Sequence, residues 1–175
     1  MSALGRLGVR IALVVLLLAV APVLAQNPGS ACGSRATDLK VTLDKTPHAV
    51  VQPDSGMARI YFIHDAGTAF EHPIGYPTVQ VGTDGAWSGA NHGDSFFWAD
   101  VAPGEHHICA ALQSSVMDSR VELAHLTAEA GRTYFFRTRL LLSGTVEVLE
   151  LEPVDSDQGA YMVSRYPLSS SKPKK

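Results

Sequence analysis

The feature that most constrains this chain is a regular succession of short apolar or alternating segments. Between residues 58 and 154 these segments arrive at short intervals, with glycine, proline or aspartate between them. No clear amphipathic helix falls between two of them. Strands that follow one another without crossover helices pair antiparallel. The pattern therefore predicts an all-β fold, an antiparallel β-sandwich of about 7–9 short strands.

Individual segments carry more specific signals. Ala58–His64 is apolar on both faces, which predicts a central or core strand, and Asp84-Gly85 between two short runs predicts a hairpin. Leu39–Leu43 alternates and predicts a short edge strand. Asp155–Arg165 is the one helix candidate, read as a short helix or turn. Residues 169–175 offer nothing apolar to bury, so we expect a disordered Ser/Lys tail.

The N-terminus has the layout of a secretory signal. Arg6 and Arg10 precede the apolar run Ile11–Ala25, and a polar stretch follows. A helix of that run is about 22 Å long, which is short for a bilayer core of about 30 Å. We expect cleavage between Ala25 and Gln26 and export to the periplasm or cell envelope. Retention of the segment as an anchor stays open.

These signals divide the chain into four parts. Residues 1–25 form the signal peptide and residues 26–55 a tether with one edge strand. Residues 56–154 form the sandwich domain, and residues 155–175 hold the short helix or turn and the tail.

Two cysteines, Cys32 and Cys109, remain after the predicted cleavage. An even count in an exported chain favours one disulfide, because the compartment is oxidising. Two alternatives stay open. Cys32 is acylated as in a lipoprotein, although Gly29-Ser30-Ala31 before it lacks the expected branched residue, or both thiols are free.

Charge and motifs exclude several function classes. The chain has 14 basic and 17 acidic side chains, a formal charge of -3, and no basic stripe of the kind that binds a phosphate backbone. It has no phosphate-binding glycine loop, no Gly-x-Ser-x-Gly and no Cys-x-x-Cys. We therefore expect no nucleic-acid partner and no cofactor, and membrane contact only through an uncleaved signal segment or the lysine tail.

Aromatic residues supply the candidate binding surface. Tyr76, Trp87, Phe96 and Trp98 surround a glycine-rich turn, and exposed aromatics on a sandwich bind proteins or sugars. The competing interpretation is that Phe96 and Trp98 fill the second face of a core strand.

Chemistry at loop residues is the alternative from another class. His64, Glu71, His72 and His92 would serve a metal-dependent hydrolase if the loop between them folds back. His106 and His107 are strand neighbours, so their side chains leave on opposite faces and cannot share an ion.

Two further arrangements are weaker. Gly93-Asp94-Ser95 is similar to the serine block of certain esterases, but the chain has no Asp-x-x-His partner. Asp94, Asp100 and Glu105 would supply the paired carboxylates of a glycosidase, but they lie near predicted strand ends, where charged residues are mostly solvated.

Three segments together resemble a bacterial family, the domain of unknown function 2846. They are Gly56–Phe62, Val101–His106 and Ala128–Phe136, and the resemblance covers roughly Gly56–Val154. It implies an exported, often lipid-anchored small β-sandwich, similar in outline to prealbumin-like and carboxypeptidase-regulatory-like domains. The expected fold class is thus a prealbumin-like or immunoglobulin-like sandwich. It implies no activity.

The sequence thus predicts an exported, non-enzymatic module of the cell envelope. We expect it to act as a binding or structural protein on an envelope protein or glycan.

Overall fold

The computed structural model describes Cys32 and residues 38–67, 76–113, 121–143 and 146–174. The predicted signal peptide and its cleavage point lie outside the described residues. Within them the chain forms ten strands and one helix. The elements are β1 (Leu39–Asp44), β2 (Ala58–His64), β3 (Thr78–Thr83), β4 (Ala86–His92), β5 (Ser95–Val101), β6 (Gly104–Leu112), β7 (Val121–Ala128), β8 (Thr133–Ser143), β9 (Val146–Val154), α1 (Ser156–Arg165) and β10 (Leu168–Pro173).

The strands form two sheets, which confirms the predicted all-β sandwich. The larger sheet has six strands in the order β1-β10-β5-β2-β8-β9, and the smaller has four in the order β4-β3-β6-β7. Pairing is antiparallel except between β10 and β5 and between β2 and β8. The predicted hairpin at Asp84-Gly85 joins β3 to β4. Both residues have positive φ, 53° and 86°, as a two-residue type I′ turn requires.

The main core lies between the two sheets. Alternate residues of β2, among them Ile60 and Phe62, point into it and meet Val81 and Ile108 of the smaller sheet. The other face of β2 is also covered. Burial on both faces explains why Ala58–His64 is apolar throughout, as predicted for a central strand.

A second core covers the outer face of the six-stranded sheet. Met162 and Val163 of α1 pack there against Tyr61, Phe96 and Phe135. The helix begins where the Asp155 carboxylate accepts hydrogen bonds from the backbone of residues 157 and 158, at 3.0 and 2.8 Å. The short helix predicted at Asp155–Arg165 is therefore present.

The prediction of a disordered C-terminal tail is wrong. Residues 168–173 form β10, which lies between β1 and β5. The Ser169 hydroxyl donates to the carbonyl of Ala90 on β4, and the Ala90 N–H donates to the Ser171 hydroxyl at 3.2 Å. Serine hydroxyls thus supply contacts between β10 and β4 that apolar side chains supply elsewhere.

The predicted edge strand and disulfide are both present. β1 lies at one edge of the six-stranded sheet and pairs with β10. Cys32 is bonded to Cys109 of β6, and both residues are buried. Gln113 connects the two sheets at the same side, because its side-chain amide donates to the Leu39 carbonyl at 2.9 Å and accepts from the Leu39 N–H at 2.7 Å.

Candidate binding surface

The aromatic residues predicted to form one binding surface lie in different places. Phe96 is fully buried in the second core, beside Tyr61. Trp98 is half-buried next to it, with the Arg59 guanidinium 5.4 Å from the centre of its ring. Phe96 is therefore not part of a surface, and Trp98 packs beside it on the same face of β5, in agreement with the competing interpretation.

Tyr76 and Trp87 lie near opposite ends of β4. Tyr76 is 41% exposed, and its ring lies 3.5 Å from the position of a Cβ built on Gly93 in the turn that follows β4. Trp87 is half-buried near the start of β4, opposite Gly82. Neither residue joins Trp98 in one patch.

A buried polar cluster occupies the end of the sandwich where β5 begins. His64, Asn91, Ser95 and Thr138 are all 1% exposed or less. The Nδ1 atom of His64 lies 3.1 Å from both the carbonyl and the hydroxyl oxygen of Thr138. Because a carbonyl only accepts, we assign the proton to Nδ1. Burial lowers the pKa of His64 to about 4, so the ring is neutral near pH 7.

The Nε2 atom of His64 has no partner among the described residues. Ser95 lies opposite His64 in the β2–β5 register, but its hydroxyl is engaged within the turn. It accepts from the His92 N–H at 3.1 Å and lies 3.3 Å from Asn91 Oδ1. Asn91 in turn donates to the Phe62 carbonyl at 3.1 Å. These hydrogen bonds give the cluster a structural role at the end of the core.

The predicted metal ligands are only partly covered by the structure. His64 is buried and His92 is exposed on β4, while Glu71 and His72 lie outside the described residues. Among the residues that the structure describes, no three His, Cys, Asp or Glu side chains are grouped to hold an ion.

His106 ties two turns together at the opposite end of the sandwich. Its Nδ1 lies 2.6 Å from the Asp84 carboxylate and its Nε2 lies 2.7 Å from the Ala102 carbonyl. Both partners are acceptors, so both ring nitrogens carry protons. Burial opposes this charge, but the bonds to Asp84 and Ala102 outweigh it and raise the pKa of His106.

Two of the three candidate carboxylates are engaged in the fold. Asp100 accepts two hydrogen bonds from Arg59, at 2.6 and 2.7 Å, and this guanidinium lowers the pKa of Asp100. Asp94 accepts from the Ala66 N–H at 2.8 Å. Glu105 is exposed on β6. The three side chains are not assembled into a cleft.

The outer face of β6 and β7 is exposed to solvent at several positions. Its exposed members are Glu105, His107, Leu123, His125 and Thr127. Leu123 is 49% exposed, and the rings of His107 and His125 lie 5.5 Å apart. Of the described strands, only β6 pairs with β7.

Sequence reasoning missed this face. The alternation of β7 does place Leu123 and His125 on one side. The register that pairs His125 with His107 depends on how β6 and β7 align with each other, which the alternation of one strand does not show.

A cavity of about 180 Å³ lies beside β7, between β8, β9 and the start of α1. Leu126, Tyr134, Phe136 and Val154 contribute to its walls. The buried hydroxyl of Thr133 also lines it and has no partner among the described residues. Thus β7 borders both the outer face and this cavity.

No helix in the described ranges has the length and apolarity needed to cross a bilayer. The one helix has 10 residues.

The segments that carried the family resemblance meet in the structure. Arg59 and Tyr61 come from the first segment, and His106 comes from the second. Gly131, in the third, has a φ of 77° and its N–H donates to the Met57 carbonyl at 2.8 Å. The three segments thus contribute to one framework of turns and strands.

Comparison with known proteins agrees with this framework. No curated protein and no solved structure gave a significant match. A family model described as a protein of unknown function, DUF2846, matches residues 54–150, which is more than half of the chain. The chain therefore belongs to the DUF2846 family.

Proposed function

We propose that this chain is an exported, non-enzymatic protein of the bacterial cell envelope that binds another envelope protein along β7. The observation that carries the proposal is the position of β7. It is the last described strand of its sheet, and Leu123 and Thr127 are exposed on its outer face. A strand at the end of a sheet has backbone groups that a strand of another chain completes.

The two sides of the sandwich support this choice of surface. At the β4 side, serine hydroxyls of β10 bond to Ala90, and Gln113 holds Leu39. Beside β7 lies the cavity instead. The hydrogen bonds that connect the two sheets thus lie at the β4 side of the sandwich. At the β7 side, the apolar side chain of Leu123 is exposed on the sheet surface.

Export is supported by the disulfide. A buried bond between Cys32 and Cys109 persists in an oxidising compartment such as the periplasm. The Arg-flanked apolar run at the N-terminus is the segment that would direct the chain there.

Crosslinking in living cells tests the binding surface. A photoreactive amino acid at position 127 on β7 is compared with one at position 40 on β1, the edge strand of the other sheet. We expect a discrete crosslinked protein from position 127 and none from position 40. We also expect Leu123→Glu to abolish the product at position 127.

Three outcomes would overturn the proposal. The first is equal crosslinking from both positions, and the second is a product at position 127 that Leu123→Glu leaves unchanged. The third is a product that stains as carbohydrate, which would identify a glycan as the partner.

Export is tested separately by cell fractionation and N-terminal sequencing. We expect Gln26 to be the first residue of the mature chain. An unprocessed chain in the cytoplasm would contradict export.

A further inference from the structure

Two exposed histidines face each other across the β6–β7 ladder. His107 on β6 and His125 on β7 are direct partners in the register, and both are exposed. Their ring centroids lie 5.5 Å apart with an angle of 57° between the ring planes. The two imidazoles therefore occupy the same small region of the outer face.

This spacing suits coordination of one ion. Two imidazoles that bind a tetrahedral ion at about 2 Å through one nitrogen each hold their ring centroids roughly 5 Å apart. In a square-planar site the ring centroids would be about 4.5 Å apart for neighbouring ligands and about 6 Å apart for opposite ligands. The 5.5 Å separation in the structure is nearer the tetrahedral value, and both side chains are exposed.

The surroundings carry negative charge. The Asp84 carboxylate accepts from the backbone N–H of His107 at 2.9 Å, which fixes this part of β6. Glu105 lies two residues before His107 on the same face and is exposed. A cation at the two rings would thus share this face of β6 with the Glu105 carboxylate, while the Asp84 carboxylate is paired with His106.

We propose that His107 and His125 form a binding site for a divalent transition-metal ion, Zn²⁺ from the ring spacing, with water in the remaining positions. The site has two protein ligands, which is consistent with the lack of any larger cluster of ligating side chains among the described residues. A bound ion would join β7 to β6 through their side chains. The proposal does not depend on the protein partner proposed above.

Calorimetric titration of the full chain with ZnCl₂ at pH 7.5 tests the site. We expect one ion per chain. Because the site needs both rings, His107→Ala and His125→Ala should each weaken binding by about tenfold or more. His92→Ala is the matched control, since His92 is exposed on β4 of the same sheet, and it should leave binding unchanged.

The pH dependence gives a second measurement. Imidazole binds metal only when deprotonated, so Zn²⁺ affinity should fall as the solution is acidified. Thermal unfolding of each variant without metal verifies its fold.

The proposal is overturned if the wild type binds no Zn²⁺, or if either single variant binds as the wild type does. It is also overturned if His92→Ala weakens binding as much as the other two substitutions. Binding of Cu²⁺ without Zn²⁺ would contradict the tetrahedral assignment.

Discussion

The two ends of the sandwich each contain one buried histidine, and the two rings are in opposite states. At the end where β5 begins, His64 is neutral, with one nitrogen bonded to Thr138 and the other without a partner among the described residues. At the end where β5 finishes, His106 bonds to two acceptors, Asp84 and Ala102, and is charged. One residue type thus has its pKa lowered at one end and raised at the other.

The difference shows that depth of burial and hydrogen-bond partners together set the charge of a histidine. Burial opposes the charged form in both cases. A carboxylate within hydrogen-bond distance reverses the outcome at His106, whereas Thr138, which bonds to His64, is neutral. The two ends should therefore respond to pH in opposite directions.

The largest effect is expected at His64 in acid. In the unfolded chain the His64 ring has a pKa near 6.5, and in the folded chain burial lowers this pKa to about 4. The unfolded state therefore binds the proton more tightly, and the free energy of unfolding decreases as the pH falls from about 6.5 to about 4. This one group should lower the free energy of unfolding by about 3 kcal/mol over that range. Urea unfolding at pH 6.5 and pH 4 measures the loss, and His64→Leu should remove this part of it. An equal loss in both proteins would contradict the neutral state of His64.

The second largest loss of stability is expected when the charged ring of His106 is removed, at the end of the sandwich where β5 finishes. His106→Leu leaves the Asp84 carboxylate and the Ala102 carbonyl without this partner, which should cost about 2 kcal/mol at pH 6. His107→Leu on the exposed face of the same strand is the control and should change stability by less than about 0.5 kcal/mol. Both are measured by urea unfolding with a metal chelator present. A similar loss in the two variants would show that His106 has no special role.

A smaller change in the free energy of unfolding is expected at alkaline pH, where His106 loses its proton. The raised pKa of His106 means that its stabilising contribution is complete below about pH 6.5 and is lost as the pH rises through the folded-state value. The difference in stability between wild type and His106→Leu should therefore narrow between pH 6 and pH 9. Unfolding curves at intervals of one pH unit follow it. A widening difference would contradict the charged state of His106.

The smallest effect concerns the turn beside His64. Ser95→Ala removes the acceptor of the His92 N–H and should cost about 1 kcal/mol. Ser88→Ala is the matched control, because Ser88 is exposed and its hydroxyl donates to the Thr83 hydroxyl at 3.0 Å. If the two serine variants are equally stable, the hydrogen bonds at Ser95 do not contribute to this end of the fold.

Much of the fold follows from local patterns. Alternation, turn residues and the Asp84-Gly85 pair predict the strands up to β9, because each signal depends on neighbouring residues only. Strand β10 was missed since Ser169–Ser171 has no apolar pattern. Its pairing depends on β1, more than a hundred residues earlier in the chain, and on the backbone of Ala90.

The candidate sites were harder to predict for the same reason. His106 is a buried charged ring only because two separate turns bring Asp84 and Ala102 to it. The sequence around Phe96 is the same whether its face of β5 is exposed or covered. In the structure, α1 and residues 45–57 cover that face. Long-range pairing, which one sequence does not display, determined these outcomes.

The pairing of β1 with β10 also sets when this protein finishes folding. In the described sheet, β1 at residues 39–44 pairs only with β10 at residues 168–173, so this border forms only when both segments are available. The six-stranded sheet is therefore completed by two strands more than a hundred residues apart in the chain, and not by a local hairpin.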